Sequence, residues 1–260
     1  MTASFEPVTT TFAAAHAAAG ALCLGCLSFS SAPIRGAHPA WKPMRFGFSI
    51  ASFLIAIAVI LPLVDLPDVA RKAMAWSLSL TMAIEMVVIA GQALRGTTSH
   101  FNTHTPLDAA AWSSMVMAIG VAILCTVALA LVASFGPLRF ADGTAVDSLL
   151  ATSIRLGLWP FVLVAFTGAR MAALGRHTVG GLDGGEGLAL VGWSATRGDL
   201  RVPHFFALHA VHVLPLSALA LRVAPVSQTV RWAVFAVVAV GWTFATLRAL
   251  VAAMSARPLW

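Results

Sequence analysis

Seven apolar stretches of helical length constrain what this chain can fold into more than any other feature of its sequence. A helix needs roughly 20 mostly apolar residues to cross a bilayer, and the stretches lack the alternation of membrane β-strands. Only 10% of the residues are charged, whereas a soluble domain carries about a quarter. We therefore predict an all-α polytopic integral membrane bundle, a single transmembrane domain over residues 1–260. Its spans are expected at about 10–31, 46–64, 73–95, 107–135, 147–171, 203–222 and 229–254.

The distribution of Lys and Arg predicts the orientation of these spans. The leading MTASFEPVTTTF holds neither residue, so we expect the first stretch to be an uncleaved span rather than a signal peptide. The connectors after spans one, three and five and the C-terminus hold nine basic residues, against five in the opposite connectors. Basic residues favour the cytoplasmic side, so the N-terminus is expected outside and the C-terminus inside. The net charge of +6 then reflects topology and lipid headgroups, and no nucleic acid partner is expected.

The polar residues concentrate in connectors that must share one membrane face. Because successive spans alternate in direction, this face receives WKPMRF (41–46), RGTTSHFNTHTPLD (95–108) and the Gly-rich loop 175–202. The opposite connectors, such as LVDLPDVARK, have an ordinary composition. The loop 175–202 combines eight glycines with several apolar residues, which predicts an ordered loop rather than a disordered linker.

A carboxylate inside the third span is the first candidate for chemistry. Glu85, Gln92 and Arg95 are spaced seven and three residues apart, so they share one face of a helix. At about 1.5 Å per residue, Glu85 lies about 15 Å from the polar face. An intramembrane carboxylate is costly and usually functional, so we expect Glu85 to face His209 or His212. A purely structural hydrogen bond between helices is the alternative.

Histidines supply the second set of candidates. His100 lies in the connector after span three, and Pro203 suits the first turn of span six, which carries His204 and His209. Imidazole groups suit zinc or iron, so His100, His204 and His209 are predicted ligands of a divalent metal, although no HExxH signature is present. His16, in AAAHAAAGA, fits close helix packing or the edge of a haem.

The predicted site combines acid–base groups with groups that would bind a substrate. The catalytic candidates are Glu85, His100, Asp108, Asp199, His204 and His209. The substrate-binding candidates are Lys42, Gln92, Arg95, Asn102, Trp193 and Arg201. Arg95 and Arg201 would hold an anionic group, and the N-terminus of span six favours anions in the same way.

Four stretches resemble a group of uncharacterised bacterial multi-pass membrane proteins: WKPMRFGFS, EMVVIAGQALRGTTSHFNTHTPLDA, HTVGGLDGG and GWSATRGDLRVPHFFALHA. The motifs W-K-P, R-G-x-x-S-H-F-N and G-D-L-R-x-P-H-F-x-x-x-H carry the resemblance. It implies a bacterial cytoplasmic (inner) membrane location and the site residues above, but no reaction. That group often has Gln where this chain has His212, which lowers the weight of that histidine. A more distant similarity, to the seven-helix zinc hydrolases related to alkaline ceramidases and adiponectin receptors, lacks their HxxxH-type ligand pair.

Four functions compete on this sequence. A membrane-embedded enzyme, with or without a metal, would act on a lipid-like or hydrophobic substrate with a polar head, and the convergence of acid–base residues on one face favours it. A haem-binding membrane protein would use His16, His209 or His212 as axial ligands. A proton-coupled transporter would use Glu85 and the histidines as a relay. An accessory membrane subunit would bind its partner through the polar loops.

Overall fold

The helices of the chain follow its apolar stretches. The computed structural model describes residues 5–34, 36–188 and 191–259. The described residues form helices α1 (Pro7–Cys26), α2 (Trp41–Ile60), α3 (Asp68–Leu94), α4 (Pro106–Phe135), α5 (Ser148–Leu158), α6 (Phe161–Leu174), α7 (Arg201–Val223) and α8 (Gln228–Met254), and the strands β1 (Thr178–Val179) and β2 (Gly198–Asp199). Seven helical segments are long and apolar enough to cross a membrane, with α5 and α6 forming one of them. The predicted all-α chain of seven spans is confirmed.

Several helices begin earlier than the hydropathy pattern predicted. The carboxylate of Glu6 accepts a hydrogen bond from the backbone N–H of Thr9, so α1 begins at Pro7 rather than near residue 10. Helix α2 begins at Trp41, and the segment WKPMRF therefore belongs to a helix rather than to a connector. Pro43 is compatible with this start, because the first turn of a helix has no use for its missing N–H. Arg35 in the first connector and residues 189–190 of the Gly-rich loop lie outside the described residues.

The fifth span, predicted as one helix over 147–171, consists of two helices. Pro160 lacks the N–H that would continue the ladder of hydrogen bonds, and α5 ends at Leu158. Helix α6 then starts at Phe161 and extends to Leu174, where Gly175 adopts the left-handed conformation with φ of 63°. The span is therefore longer than predicted and interrupted near its middle.

The chain forms two compact units, Met1–Val146 and Asp147–Trp260. In the first unit, α1 and α2 approach through Gly20 and Gly47. A Cβ atom at Gly47 would lie 2.7 Å from the Cα of Gly20, and such small residues let helix backbones come close together. The imidazole of His16 then lies with Nε2 3.2 Å from the carbonyl oxygen of Met82, which ties α1 to α3.

In the second unit, α7 packs against α5, α6 and α8. A Cβ atom at Gly157 of α5 would lie 3.0 Å from the carbonyl oxygen of Ala210, so α5 and α7 also meet through a glycine. The strands β1 and β2 pair antiparallel within the loop between α6 and α7. At Gly198, a Cβ atom would collide with the carbonyl oxygen of Ala253. The strand pair therefore rests directly on the last turn of α8.

Candidate functional site

Three predicted site residues from three elements of the first unit come together. The Nζ of Lys42, in the first turn of α2, lies 3.1 Å from Nδ1 of His100 in the loop between α3 and α4. The positive charge of Lys42 also acts on the carboxylate of Glu85 in α3, which is only 6% exposed. A charged ammonium group can only donate, so Nδ1 of a neutral His100 accepts and the ring proton lies on Nε2. We call Lys42, Glu85 and His100 the Lys42 cluster.

Aromatic rings surround the imidazole of His100. The ring centroids of Phe46, Phe101 and Trp112 lie 5.6, 6.0 and 5.5 Å from that of His100. Phe101 has a φ of 56°, which is an uncommon backbone conformation for a bulky residue. These contacts restrict the rotation of the imidazole and hold it beside Lys42. Phe46 and Trp112 were not predicted as site residues from the sequence. Phe46 nevertheless follows Lys42, and Trp112 follows Asp108, by one helical turn.

Asp108 connects α3 to α4. Its carboxylate accepts hydrogen bonds from Nε2 of Gln92 at 2.8 Å, Nη1 of Arg95 at 2.8 Å and Oγ1 of Thr105 at 2.7 Å. The Arg95 guanidinium also donates to the amide oxygen of Gln92, in agreement with the predicted shared face of these two residues. The side chain of Asp108 is 5% exposed. This geometry makes Asp108 an anchor that positions the loop carrying His100.

Asn102 holds the same loop in shape. Its amide nitrogen donates to Oγ1 of Thr97 at 3.0 Å and to the carbonyl oxygen of Thr98 at 2.9 Å. Its amide oxygen accepts from the backbone N–H of His104 at 3.2 Å. The residue is 1% exposed, so its position favours a role in loop structure, and direct binding of a substrate stays a prediction.

In the second unit, the buried carboxylate of Asp199 is the centre of a network. It accepts from Nε of Arg201 at 3.0 Å, from the backbone N–H of Arg201 at 2.9 Å and from the backbone N–H of Ser194 at 2.9 Å. Nδ1 of His177 lies 3.7 Å away. Burial raises the pKa of a carboxyl group, but the hydrogen bonds and charge of Arg201 outweigh it and hold the pKa of Asp199 below its ordinary value. The predicted anion-binding Arg201 is thus paired with a carboxylate.

The lowered pKa of Asp199 predicts how the loop between α6 and α7 responds to acid. In the folded protein, the carboxyl group of Asp199 binds a proton less readily than in the unfolded chain, where its pKa is about 3.9. Asp199 therefore stabilises the fold above about pH 4, and this contribution is lost as the pH falls through the folded value. We expect the difference in melting temperature between the wild type and Asp199→Asn to shrink below about pH 4. A constant difference down to pH about 3 would contradict this linkage.

His204 and His209 point to different surroundings. Nδ1 of His204 lies 2.9 Å from Oγ1 of Thr167 in α6. The ring of His209 packs against that of Phe205 at a tilt of 49°, with centroids 4.2 Å apart, and the ring of Trp193 in the preceding loop lies 5.3 Å from that of Phe205 between centroids. Residues five apart lie roughly 140° apart around a helix with about 3.6 residues per turn. The two histidines therefore do not converge on one ligand from α7 alone.

A metal site is not supported by this arrangement. Among the residues that the structure describes, no three His, Cys, Asp or Glu side chains are grouped to hold a metal ion. His100 belongs to the first unit, whereas His204 and His209 belong to the second. The ammonium group of Lys42 also repels a cation at Nδ1 of His100. The predicted pairing of Glu85 with His209 or His212 likewise joins the two units, and it stays a prediction.

His16 shows the contacts expected from helix packing. Its Nδ1 lies 2.6 Å from the carbonyl oxygen of Phe12, and its Nε2 lies 3.2 Å from that of Met82. A carbonyl oxygen therefore faces each ring nitrogen, and haem iron would have to displace one of these contacts. The residue is 4% exposed. Of the two interpretations of this histidine, packing agrees with the structure.

Comparison with protein-family models, with curated proteins and with solved structures finds no match to this chain. The Lys42 cluster gathers three acid–base groups within one unit, at the boundary between an apolar span and a polar loop. The groups around Asp108 and Asp199 are paired among themselves and hold the loops in place.

Proposed function

We propose that this chain is a membrane-embedded enzyme that performs acid–base chemistry on a hydrophobic or lipid-like molecule with a polar head. The observation that supports it best is the 3.1 Å contact between Lys42 and His100, with the buried Glu85 within range of the charge of Lys42. The seven apolar helical segments fit an integral membrane protein in contact with the lipid bilayer. The charge distribution and the resemblance to bacterial multi-pass proteins support a cytoplasmic membrane location with the N-terminus outside.

In this proposal, His100 is the group that meets the substrate. It passes the proton on Nε2 to an oxygen of the substrate and takes up a proton at Nδ1 from the Lys42 ammonium. His100 remains neutral and Lys42 becomes neutral, so one proton has moved from Lys42 to the substrate. A proton from the solvent at the polar face then returns to Nε2 of His100, while Nδ1 passes its proton back to Lys42, so that both groups regain their starting forms. A Glu85 carboxylate favours this return because it stabilises a positive charge on Lys42. The reverse sequence removes a proton from a substrate.

Proton-coupled transport is a second candidate that the same cluster favours. Glu85 lies about 15 Å along α3 from Arg95, at about 1.5 Å per residue. Lys42 interacts both with Glu85 inside the span and with His100 in the loop. The three groups could therefore relay a proton between the interior of the span and the polar face. A transporter would move protons across sealed vesicles without converting its substrate.

The test compares His100→Gln with His104→Gln, an exposed histidine of the same loop that serves as the matched control. Purified protein in sealed vesicles of bacterial total lipid is incubated with a membrane extract, and lipids and small hydrophobic molecules are followed by mass spectrometry. We expect wild type and His104→Gln to convert one component, and His100→Gln to be slower by about 100-fold or more. Equal rates for the two variants, or no conversion by wild type, would reject the enzyme.

Three further readouts on the same preparation separate the alternatives. Movement of protons in the vesicles without conversion would favour the transporter. A Soret absorption band after expression with adequate haem would favour a haem protein. Stoichiometric zinc or iron by elemental analysis would favour the metal-dependent form of the enzyme.

A further inference from the structure

A row of four rings runs along one side of α7. Phe205, His209 and His212 are spaced four and three residues apart, so they share one face of the helix. The ring centroids lie 4.2 Å apart between Phe205 and His209 and 5.2 Å apart between His209 and His212. Trp193, in the loop before α7, continues the row at 5.3 Å from Phe205. We call Trp193, Phe205, His209 and His212 the aromatic row, and all four residues belong to the second unit.

The aromatic row is accessible from the surface of the chain. Phe205 is 41% exposed, and the other three rings are half-buried. The same face of α7 continues with Leu216, Leu219 and Val223, which are 62%, 40% and 85% exposed. Because α7 is a candidate span, these apolar side chains suit contact with lipid chains. A molecule dissolved in the bilayer can therefore reach the aromatic row from the side.

The imidazole of His209 brings a polar group into this apolar surface. It lies about 12 Å along α7 from Arg201, the first residue of the helix, at about 1.5 Å per residue. Neither of its ring nitrogens makes a hydrogen bond with any residue that the structure describes. A neutral imidazole carries one N–H donor and one acceptor nitrogen, and leaving them without a partner in an apolar medium is costly. Because lipid chains offer no partner, this position favours a lipid-soluble ligand that carries oxygen.

We propose that the aromatic row binds a lipid-soluble molecule of the quinone class, which combines a flat ring, carbonyl oxygens and an apolar tail. The quinone ring packs against Phe205 and Trp193, because flat rings attract one another in tilted and offset arrangements. The N–H of His209 donates to a carbonyl oxygen, and the tail lies along Leu216 and Leu219. The proposal concerns the second unit and does not depend on the chemistry of the Lys42 cluster.

The test measures equilibrium binding of decylubiquinone to the full-length protein in detergent micelles, with micelles alone as the baseline. Decylbenzene, which has the same alkyl tail and a flat ring without oxygen, is the comparison. His209→Leu removes the hydrogen bond, whereas His209→Gln keeps a donor at the same position. Phe205→Leu removes the ring beside His209. Its matched control is Phe244→Leu, because Phe244 is 68% exposed on α8 of the same unit.

We expect wild type to bind decylubiquinone about tenfold more tightly than decylbenzene. His209→Leu should bind the two compounds equally, and His209→Gln should keep part of the preference. Phe205→Leu should bind decylubiquinone about fivefold more weakly than wild type, and Phe244→Leu should bind it like wild type. If His209→Leu does not fold, the comparison of Phe205→Leu with Phe244→Leu decides. The proposal is overturned by equal binding of the two compounds to wild type, by the full preference in His209→Leu, or by equal losses in the two phenylalanine variants.

Discussion

Replacing Gly47 by alanine is expected to destabilise the first unit by about 1–3 kcal/mol, because α1 and α2 leave no room for a Cβ atom. Such an atom would lie 2.7 Å from the Cα of Gly20 and 2.9 Å from the carbonyl oxygen of His16. These neighbours are backbone atoms, which cannot move aside by a change of rotamer. The helices would have to separate, and the distance from Nε2 of His16 to the carbonyl oxygen of Met82 would increase.

Thermal unfolding of the purified protein in detergent, followed by tryptophan fluorescence, measures this effect. The matched control is Gly120→Ala in α4, where a new Cβ atom would meet nothing within 4 Å. Alanine is the better helix former by roughly 0.5–1 kcal/mol, so the control should melt at the same or a higher temperature. If Gly47→Ala melted with the control, the close approach of α1 and α2 would be wrong.

Replacing Asp199 by asparagine is expected to cost about 3 kcal/mol at neutral pH. The carboxylate is 1% exposed at its side chain and pairs with Nη2 of Arg201 at 2.6 Å. An asparagine has the same shape but lacks the charge, and its NH2 group would face donors instead of accepting from them. The loop would lose the contacts that join Ser194 to the start of α7.

Hydrogen exchange at residues 191–200 reports this loss. The amide of Leu200, which donates to the carbonyl oxygen of His177 at 3.0 Å, should exchange faster in the variant. Asp142→Asn is the control, because Asp142 accepts a backbone N–H in the same way but lies in an exposed turn. Unchanged exchange in Asp199→Asn would mean that the ion pair does not hold the loop.

The fold was predictable because the length and composition of a span are local properties of the sequence. The start of α2 was not, since Trp41, Lys42 and Pro43 have the composition of a connector. Their helical conformation is what places Lys42 in a first turn beside α3. The interruption of the fifth span had a local signal in Pro160, which the uniform hydropathy of the stretch outweighed.

Only contacts between residues on one helix were predictable within the candidate site. Gln92 and Arg95 follow from helical spacing, and their hydrogen bond agrees with it. The contact of Lys42 with His100 joins residues 58 positions apart, which no periodic pattern specifies. The spacing of His204 and His209 argued against a shared ligand, because side chains five residues apart lie on different faces of a helix.

The glycine at position 198 also has a mechanical consequence. With no side chain between β2 and α8, the strand lies against the carbonyl oxygen of Ala253. Sliding α8 along its axis by one residue, about 1.5 Å, would therefore drive backbone into backbone. Helix α8 and strand β2 must therefore move together as one rigid body. A change in bilayer thickness that tilts α8 would then be carried to Asp199 and to the first turn of α7.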